Sequence, residues 1–320
     1  MITEKVSASL LTKAVDHELG NIIGEALPIL KDIKNFVIES GGKRIRPLLL
    51  CILSDLYDAE KSGARVLGAI TEIIHAASLL HDDVLDDSVT RRGKPSGKSI
   101  FGNKEVILGG DYLLACGIKR LNEFENHKLM SIYTKVIHDL SVAELLQMQY
   151  ETNHEIDFEI YYKIIYGKTA SLFQAAGEAA AVWSSLDAKE SSNLSDLGKN
   201  LGLFFQIRDD YLDYFNAALL NKPPFQDFER GIYTFPVIIL KNSSDNAQKI
   251  QNYFEKSTDE RKKSDVQKNF LSFLADSGSK SETEKKLKEL SEQILSAIRN
   301  LPDKPARSLL ESQFNKLLEF

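Results

Sequence analysis

IHAASLLHDDVLDD, residues 74–87, decides the fold: apolar residues recur at three and four positions up to a run of acids, the period of a helix that buries one face. The stretch closes a longer periodic segment, 65–85. Within it Asp82 and Asp86 stand at i and i+4, about 6 Å apart along the axis at roughly 1.5 Å per residue. His75 lies seven residues before Asp82 and falls on the same stripe. A second DDxxD follows at Asp209-Asp210-Tyr211-Leu212-Asp213, where Gln206, then Asp209 or Asp210, then Asp213 repeat the spacing. Acidic runs are usually solvated faces, and a lone histidine in an apolar helix is usually core. Two copies in apolar settings point elsewhere, because unpaired carboxylates are costly to bury and so ask for a counter-charge. Paired carboxylates offer hard oxygen ligands, and two such pairs facing each other suit several Mg2+ ions with a phosphorylated ligand between them.

Outward from these motifs, helical periodicity continues through 19–38, 48–57, 105–122, 129–150, 159–182 and 193–215. Shorter or more polar helical segments follow at 236–242, 246–256, 260–276, 281–300 and 303–319. Strand signals are nearly absent. Breaks fall at Gly41-Gly42, at 93–104, at 216–235 with Pro223-Pro224, and at Ser277-Gly278-Ser279-Lys280. None reads as an interdomain linker, so the expectation is one all-α domain over 1–320, a helical bundle around a deep central cavity.

The bulk numbers exclude some functions. With 43% hydrophobic and 27% charged residues the chain reads as globular, and a net charge of −6 argues against nucleic acid as the partner. Cys51 and Cys116 alone make a disulfide framework improbable and fit a reducing, cytoplasmic setting. The first twenty residues carry Glu4, Asp16 and Glu18 without a continuous apolar stretch, so no signal peptide is expected. No run of 18 uncharged apolar residues marks a membrane span.

Cations sit close to the acids in sequence. Gly41-Gly42-Lys43-Arg44-Ile45-Arg46-Pro47 is a glycine turn followed by basic residues, and Arg91-Arg92-Gly93-Lys94 trails the first acidic motif. Each alone reads as a solvated surface cluster. Beside paired aspartates they suit a metal-bridged diphosphate, with arginine forks on the remaining phosphate oxygens. Gly167-Lys168-Thr169 is not a nucleotide P-loop, since Tyr162 stands where the first glycine belongs and helix precedes it. A lysine and a hydroxyl inside an apolar helix need partners, and a kink lining a cavity would provide them.

Taken together, GGKRIRP (41–47), IHAASLLHDDVLDD (74–87), RRGKPS (91–96), LGGDYLLA (108–115), GKTA (167–170) and FFQIRDDYLDY (204–214) closely resemble the trans-type isoprenyl diphosphate synthases, or polyprenyl synthetases, in the family's order over about residues 40–240. The resemblance implies an isoprenoid-synthase bundle, usually homodimeric, that condenses isopentenyl diphosphate head-to-tail with an allylic diphosphate such as farnesyl diphosphate. By motif position, Asp82, Asp83, Asp86, Asp209, Asp210 and Asp213 would hold Mg2+, about three ions per active site with substrate bound. Arg91, Lys168, Thr169, Gln206 and Lys222 would contact the allylic substrate. Lys43, Arg46, His75 and Arg92 would hold isopentenyl diphosphate.

One stretch departs from the pattern. The family tends to read GKPxGxDxxEGKxTLP after the second motif, whereas residues 221–236 read NKPPFQDFERGIYTFP, with Ile232 at the last lysine. A charge-assisted hydrogen bond of roughly 1.5 to 3 kcal/mol is then missing unless Arg230 or Lys222 compensates.

The implied chemistry is ionisation of the allylic C–O bond against metals and cations, attack by the isopentenyl double bond and loss of a proton to released diphosphate. Ala77 and Ser78, one turn before Asp82, are small where short-chain members tend to carry aromatics, so the passage for the tail reads as open. Tyr133 is a candidate floor, about 21 Å from Gln147 along one helix, a depth suited to roughly six to eight prenyl units, about C30 to C40. The leading expectation is a long-chain synthase for quinone side chains, with peripheral membrane contact at product release. The alternatives are a short-chain farnesyl or geranylgeranyl synthase and a weakly active subunit of a hetero-oligomer, for which one acidic motif should be degraded. A terpene cyclase would not need the second diphosphate site of Lys43, Arg46 and Arg92.

Overall fold

The periodicity is realised almost everywhere as helix. The computed structural model describes residues 7–91, 93–151, 153–220, 223–241 and 244–320, so the expectations for Arg92 and Lys222 lie outside the described residues. In chain order the helices are α1 (Ala8–Ile22), α2 (Pro28–Glu39), α3 (Ile45–Leu56), α4 (Lys61–Leu85), α5 (Gly97–Phe101), α6 (Asn103–Asn122), α7 (His127–Tyr150), α8 (Phe158–Ile165), α9 (Ser171–Trp183) and α10 (Ala188–Phe215). After them come α11 (Gln226–Arg230), α12 (Phe235–Ile238), α13 (Ser244–Phe254), α14 (Thr258–Arg261), α15 (Ser264–Asp276), α16 (Ser279–Arg299) and α17 (Pro305–Asn315). Among the described residues the only ladder is a two-residue hairpin, β1 (Thr90–Arg91) with β2 (Lys94–Pro95).

Three local differences from the sequence reading have identifiable causes. The expected helix 19–38 is two helices: Ile23 leaves helical dihedrals, and Pro28, which has no N–H to give, opens α2 at its first turn after an extended Leu27. The missed start of α1 is capped by Ser7, which accepts from the Leu10 N–H. The expected breaks at 93–104 and 216–235 hold the short helices α5 and α11, too brief for periodicity to show.

The chain divides into two units. The first comprises Met1–His138, Leu172–Lys199 and Ser296–Lys316. Its centre is α4, which packs against α1, α3 and α6 and buries Leu67, Ala69, Ile70, Ile73, Ile74 and Ala77 completely. Each large apolar side chain buried this way contributes roughly 1.5 to 3 kcal/mol relative to exposure. By length and composition α4 could cross a membrane, but 72% of its most apolar window is buried; that apolarity forms the core of the first unit. Glu60 starts the helix by accepting from the Ser62 and Gly63 N–H groups at 2.6 and 2.7 Å. Gly63 is required there, because a Cβ would lie 2.1 Å from the Trp183 ring.

The second unit comprises Asp139–Ser171, Asn200–Leu295 and Leu317–Phe320. Its core is aromatic: Phe228 stacks on Phe270 at 4.2 Å between centroids and Tyr233 on Phe254 at 4.0 Å, with Tyr214 edge-on to Phe270. Between α8 and α9 the backbone passes through a π-helical turn, Tyr166–Ala170, the kink expected at Gly167-Lys168-Thr169. Gly167 permits it, since a Cβ would meet the Ala143 Cβ at 2.5 Å and the Asp139 carbonyl oxygen at 2.6 Å.

Candidate active site

Both acidic motifs occupy the last turns of long helices. α4 ends at Leu85 and α10 at Phe215, and neither carries a basic residue in its last turn. The partial negative charge of a helix C-terminus makes carboxylates there unfavourable by about 0.3 to 1 kcal/mol each, a cost that a bound cation reverses. In the first motif the Asp86 N–H donates to the Asp82 carbonyl at 2.8 Å, so the i, i+4 relation survives through the cap, with both residues half-buried.

Asp83 has a different environment. It is 1% exposed, and its two oxygens accept from Arg91 Nε at 2.6 Å and the Gly97 N–H at 2.8 Å. One position on from Asp82 is about 100° around the helix. There it anchors the β1–β2 hairpin and the start of α5, and it fixes Arg91.

The other expected residues of the first unit form a second cluster. Arg46 Nη1 lies 3.2 Å from His75 Nε2, with its guanidinium 4.6 Å from the centre of the Phe173 ring. His75, Ala76, Leu80, Asp83 and Arg91 line a cleft enclosing about 610 Å³ of space, part of it open to solvent. Lys43 is exposed. Arg44, its neighbour, is buried, adopts φ 45°, and pairs with Glu72 at 2.6 Å and Asp16 at 3.0 Å. That cation is structural, and the αL backbone it tolerates sets the entry into α3.

Ala77 and Ser78 separate. Ala77 is fully buried in an apolar cluster with Ile33, Val37 and Leu80. Ser78, four residues before Asp82 and hence on its stripe, is half-buried and donates its hydroxyl to the His75 carbonyl at 2.9 Å. Tyr133 is completely buried, its hydroxyl 2.8 Å from Thr71 Oγ1 and donating to the Leu67 carbonyl at 3.2 Å; burial pushes its pKa up.

In the second unit Gln206 organises the site. Thr169 Oγ1 donates to Gln206 Oε1 at 2.7 Å, and Gln206 Nε2 donates to Asp210 Oδ1 at 2.8 Å, which selects Asp210 as the aspartate on the Gln206 face. Asp210 also accepts from Tyr161 Oη at 2.7 Å and the Phe235 N–H at 3.1 Å. Burial, together with the negative charge of Asp227, still raises its pKa to about 6 against the pull of these donors. Asp213 is buried and accepts from the Asp227 N–H at 3.3 Å, whereas Asp209 is the open member of the motif, 3.9 Å from Arg208 Nη1. Lys168 is bound from α7 by Glu144 at 2.7 Å and Gln147 at 3.0 Å. Gln147, Lys168, Gln206, Asp210, Asp227 and Arg230 line a cavity with about 690 Å³ of space, part of it open to solvent.

The sequence reading did not identify Glu144 and Gln147 as the partners of Lys168, nor the roles of Tyr161 and Asp227. A tyrosine in an apolar helix was the available signal, since a buried hydroxyl requires a partner.

Whether these residues fit a divalent ion is decided by donor chemistry. Among the described residues no three His, Cys, Asp or Glu converge closely enough to hold a metal by themselves. The oxygen-only acids at the two helix ends instead match Mg2+, which takes one or two carboxylates and completes its shell with water and phosphate.

A family model described as polyprenyl synthetase matches residues 27–271, and the chain belongs to that family: it is a trans-polyprenyl diphosphate synthase, a prenyltransferase. It is 29% identical over 285 residues to the octaprenyl diphosphate synthase of Escherichia coli (strain K12), covering 88% of this chain and 87% of that protein. The heptaprenyl diphosphate synthase structure from Staphylococcus aureus superposes with a TM-score of 0.90 at 28% identity over 99% of both chains. A polyprenyl synthase from Caulobacter crescentus CB15, complexed with calcium and isoprenyl diphosphate, gives 0.87 at 29% identity over 98% of this chain and 95% of that one. The all-α expectation holds.

Proposed function

We propose that the protein condenses isopentenyl diphosphate head-to-tail with an allylic diphosphate, farnesyl diphosphate for instance, in a Mg2+-dependent reaction giving an all-trans chain of about C30 to C40. The observation that carries this reading is the placement of acids at two helix C-termini that carry no basic residue in their last turns. Asp82, Asp86, Asp209, Asp210 and Asp213 are the metal-holding residues, with Asp83 supporting them. A bound divalent ion supplies Lewis-acid charge to the leaving diphosphate. Lys168, Thr169 and Gln206 orient that diphosphate from the π turn and α10, and Arg91 does so from the hairpin. Arg46 and His75, already in contact, receive the second diphosphate together with Lys43.

The relatives support the metal and the length. The Caulobacter protein was crystallised with calcium and an isoprenyl diphosphate, and octaprenyl and heptaprenyl synthases are among the similar proteins. Supply of a quinone side chain in the cytoplasm by a homodimer that releases product at a membrane completes the proposal; exposed Ile107 and Leu108 on α6 are in keeping with an apolar partner.

The test is incubation with farnesyl diphosphate, labelled isopentenyl diphosphate and Mg2+, followed by chromatography of the chains. Extended product that vanishes when Mg2+ is chelated is the expected result. No extended product at any protein concentration would sink the reading, and products ending at C15 or C20 would replace the long-chain assignment with a short-chain one.

A further inference from the structure

The second unit's cavity carries a cation outside the place where the family pattern puts one. Ile232 occupies the lysine position of that pattern, and it lines the cavity beside Lys168, Gln206 and Asp210. Arg230 lines it too, two residues earlier, at the position where the pattern has an acid. The exchange is paired: a cation lost at 232 and a cation gained at 230.

Local structure explains why Arg230 enters the cavity. In α11, Phe228 is fully buried in the aromatic core and Glu229 accepts from Gln267 Nε2 at 2.8 Å. The next side chain, about 100° further round, is Arg230. Gly231 at φ 82° then ends the helix, so Arg230 stands at the mouth of the turn that leads to Ile232. Its Nη2 lies 3.6 Å from Glu151 Oε1, and both side chains are about one-third exposed, 34% and 35%. An ion pair that long and that wet is weak. A diphosphate, with more charge and matching geometry for a guanidinium fork, is the stronger partner.

We infer that Arg230 supplies the allylic-diphosphate contact that Ile232 has lost, its guanidinium exchanging Glu151 for phosphate oxygens when substrate enters. This specificity role rests on the prenyltransferase reading above. The test uses Arg230→Ala, Glu151→Gln and the double variant Arg230→Ala/Ile232→Lys in the full chain. Arg230→Ala raises the allylic KM by about tenfold to a hundredfold, the size of one charge-assisted hydrogen bond, and leaves the isopentenyl diphosphate KM within about twofold. Adding Ile232→Lys recovers most of that loss, and Glu151→Gln lowers the allylic KM.

A second readout needs neither metal nor turnover: inorganic diphosphate raises the thermal unfolding temperature of the native chain and does so less for Arg230→Ala. An allylic KM within about twofold of wild type in Arg230→Ala overturns the inference, as does an equal rise in both substrate constants. A rise for Glu151→Gln matching that of Arg230→Ala overturns it as well, by making the pair structural. If the wild-type chain forms no product, the functional reading fails, while the unfolding measurement still decides whether Arg230 binds diphosphate.

Discussion

Asp83→Asn separates a metal ligand from a residue that positions one cation. Asp83 is 1% exposed and spends one oxygen on Arg91 Nε, at 2.6 Å, and the other on the Gly97 N–H, at 2.8 Å. Asparagine has a single acceptor oxygen, so one of the two donors is left facing an amide NH2. Losing a charge-assisted bond to a partner 30% exposed contributes about 1.5 kcal/mol, the low end for such bonds, and the unmet buried donor adds about 1 to 2 kcal/mol. The expected destabilisation is therefore about 2 to 4 kcal/mol, read by urea unfolding. In steady-state assays Arg91 loses its orientation, so Asp83→Asn and Arg91→Met raise the allylic KM by similar factors and the double variant is no worse than either, the signature of a shared path. The Mg2+ concentration for half-maximal rate stays at the wild-type value for Asp83→Asn and rises for Asp82→Asn. If Asp83→Asn shifts the Mg2+ requirement as Asp82→Asn does, while Arg91→Met leaves it alone, the assignment of Asp83 to Arg91 is refuted.

Other perturbations test other parts of the structure. Gly167→Ala, which in an ordinary helix would stabilise by about 1 kcal/mol, should instead cost at least about 2 kcal/mol in thermal unfolding, because its Cβ has 2.6 Å to the Asp139 carbonyl. Arg44→Met leaves Glu72 buried without its cation and should destabilise by about 3 to 5 kcal/mol, measurable by denaturant titration. Thr169→Val removes the hydroxyl that holds Gln206 and should lower kcat/KM about tenfold with less than about 1 kcal/mol change in stability. Ser78→Phe, on the Asp82 stripe, should shift the product distribution to shorter chains, whereas Ala77→Phe should chiefly destabilise, by about 1 to 3 kcal/mol, because it overpacks a filled core.

Most of the helices were legible because apolar periodicity extends over many turns, as in α4 and α10, where tertiary burial and local pattern agree. What escaped was either short or decided by one residue. α5 and α11 are each five residues long, below the length at which a period can be read, and the break between α1 and α2 depends on Pro28 inside an otherwise continuous apolar pattern. In the site, spacing put His75, Asp82 and Asp86 on one stripe, because helix geometry fixes direction from sequence separation and α4 runs as helix to Leu85. It could not assign Asp83, whose direction is set by Arg91 and Gly97, residues that return through a hairpin. Nor could spacing choose between Asp209 and Asp210 beside Gln206; the hydrogen bond that chooses between them is a matter of side-chain rotamer.

The cations of the candidate site share one property that bears on how it works. Arg91 is held by Asp83, Lys168 by Glu144 and Gln147, Arg230 by Glu151, and Arg46 lies against His75. Long basic side chains without such partners would swing into solvent, and substrate binding would then have to bear the entropy of ordering each one. Held in place beforehand, a cation either adds phosphate beside its partner or gives the partner up for it, and where it exchanges a carboxylate the net gain on binding is set by how much better a diphosphate fits the fork. The same reasoning grades the two arginine–carboxylate pairs. The Asp83–Arg91 pair has a buried acid and a short bond and should keep its partner in the complex, adding phosphate through the remaining guanidinium nitrogens. The Glu151–Arg230 pair is long and wet and should part. Removing the parked acid therefore has opposite signs at the two places, a higher allylic KM for Asp83→Asn and a lower one for Glu151→Gln, and a uniform effect at both would mean that these pairs serve only the fold.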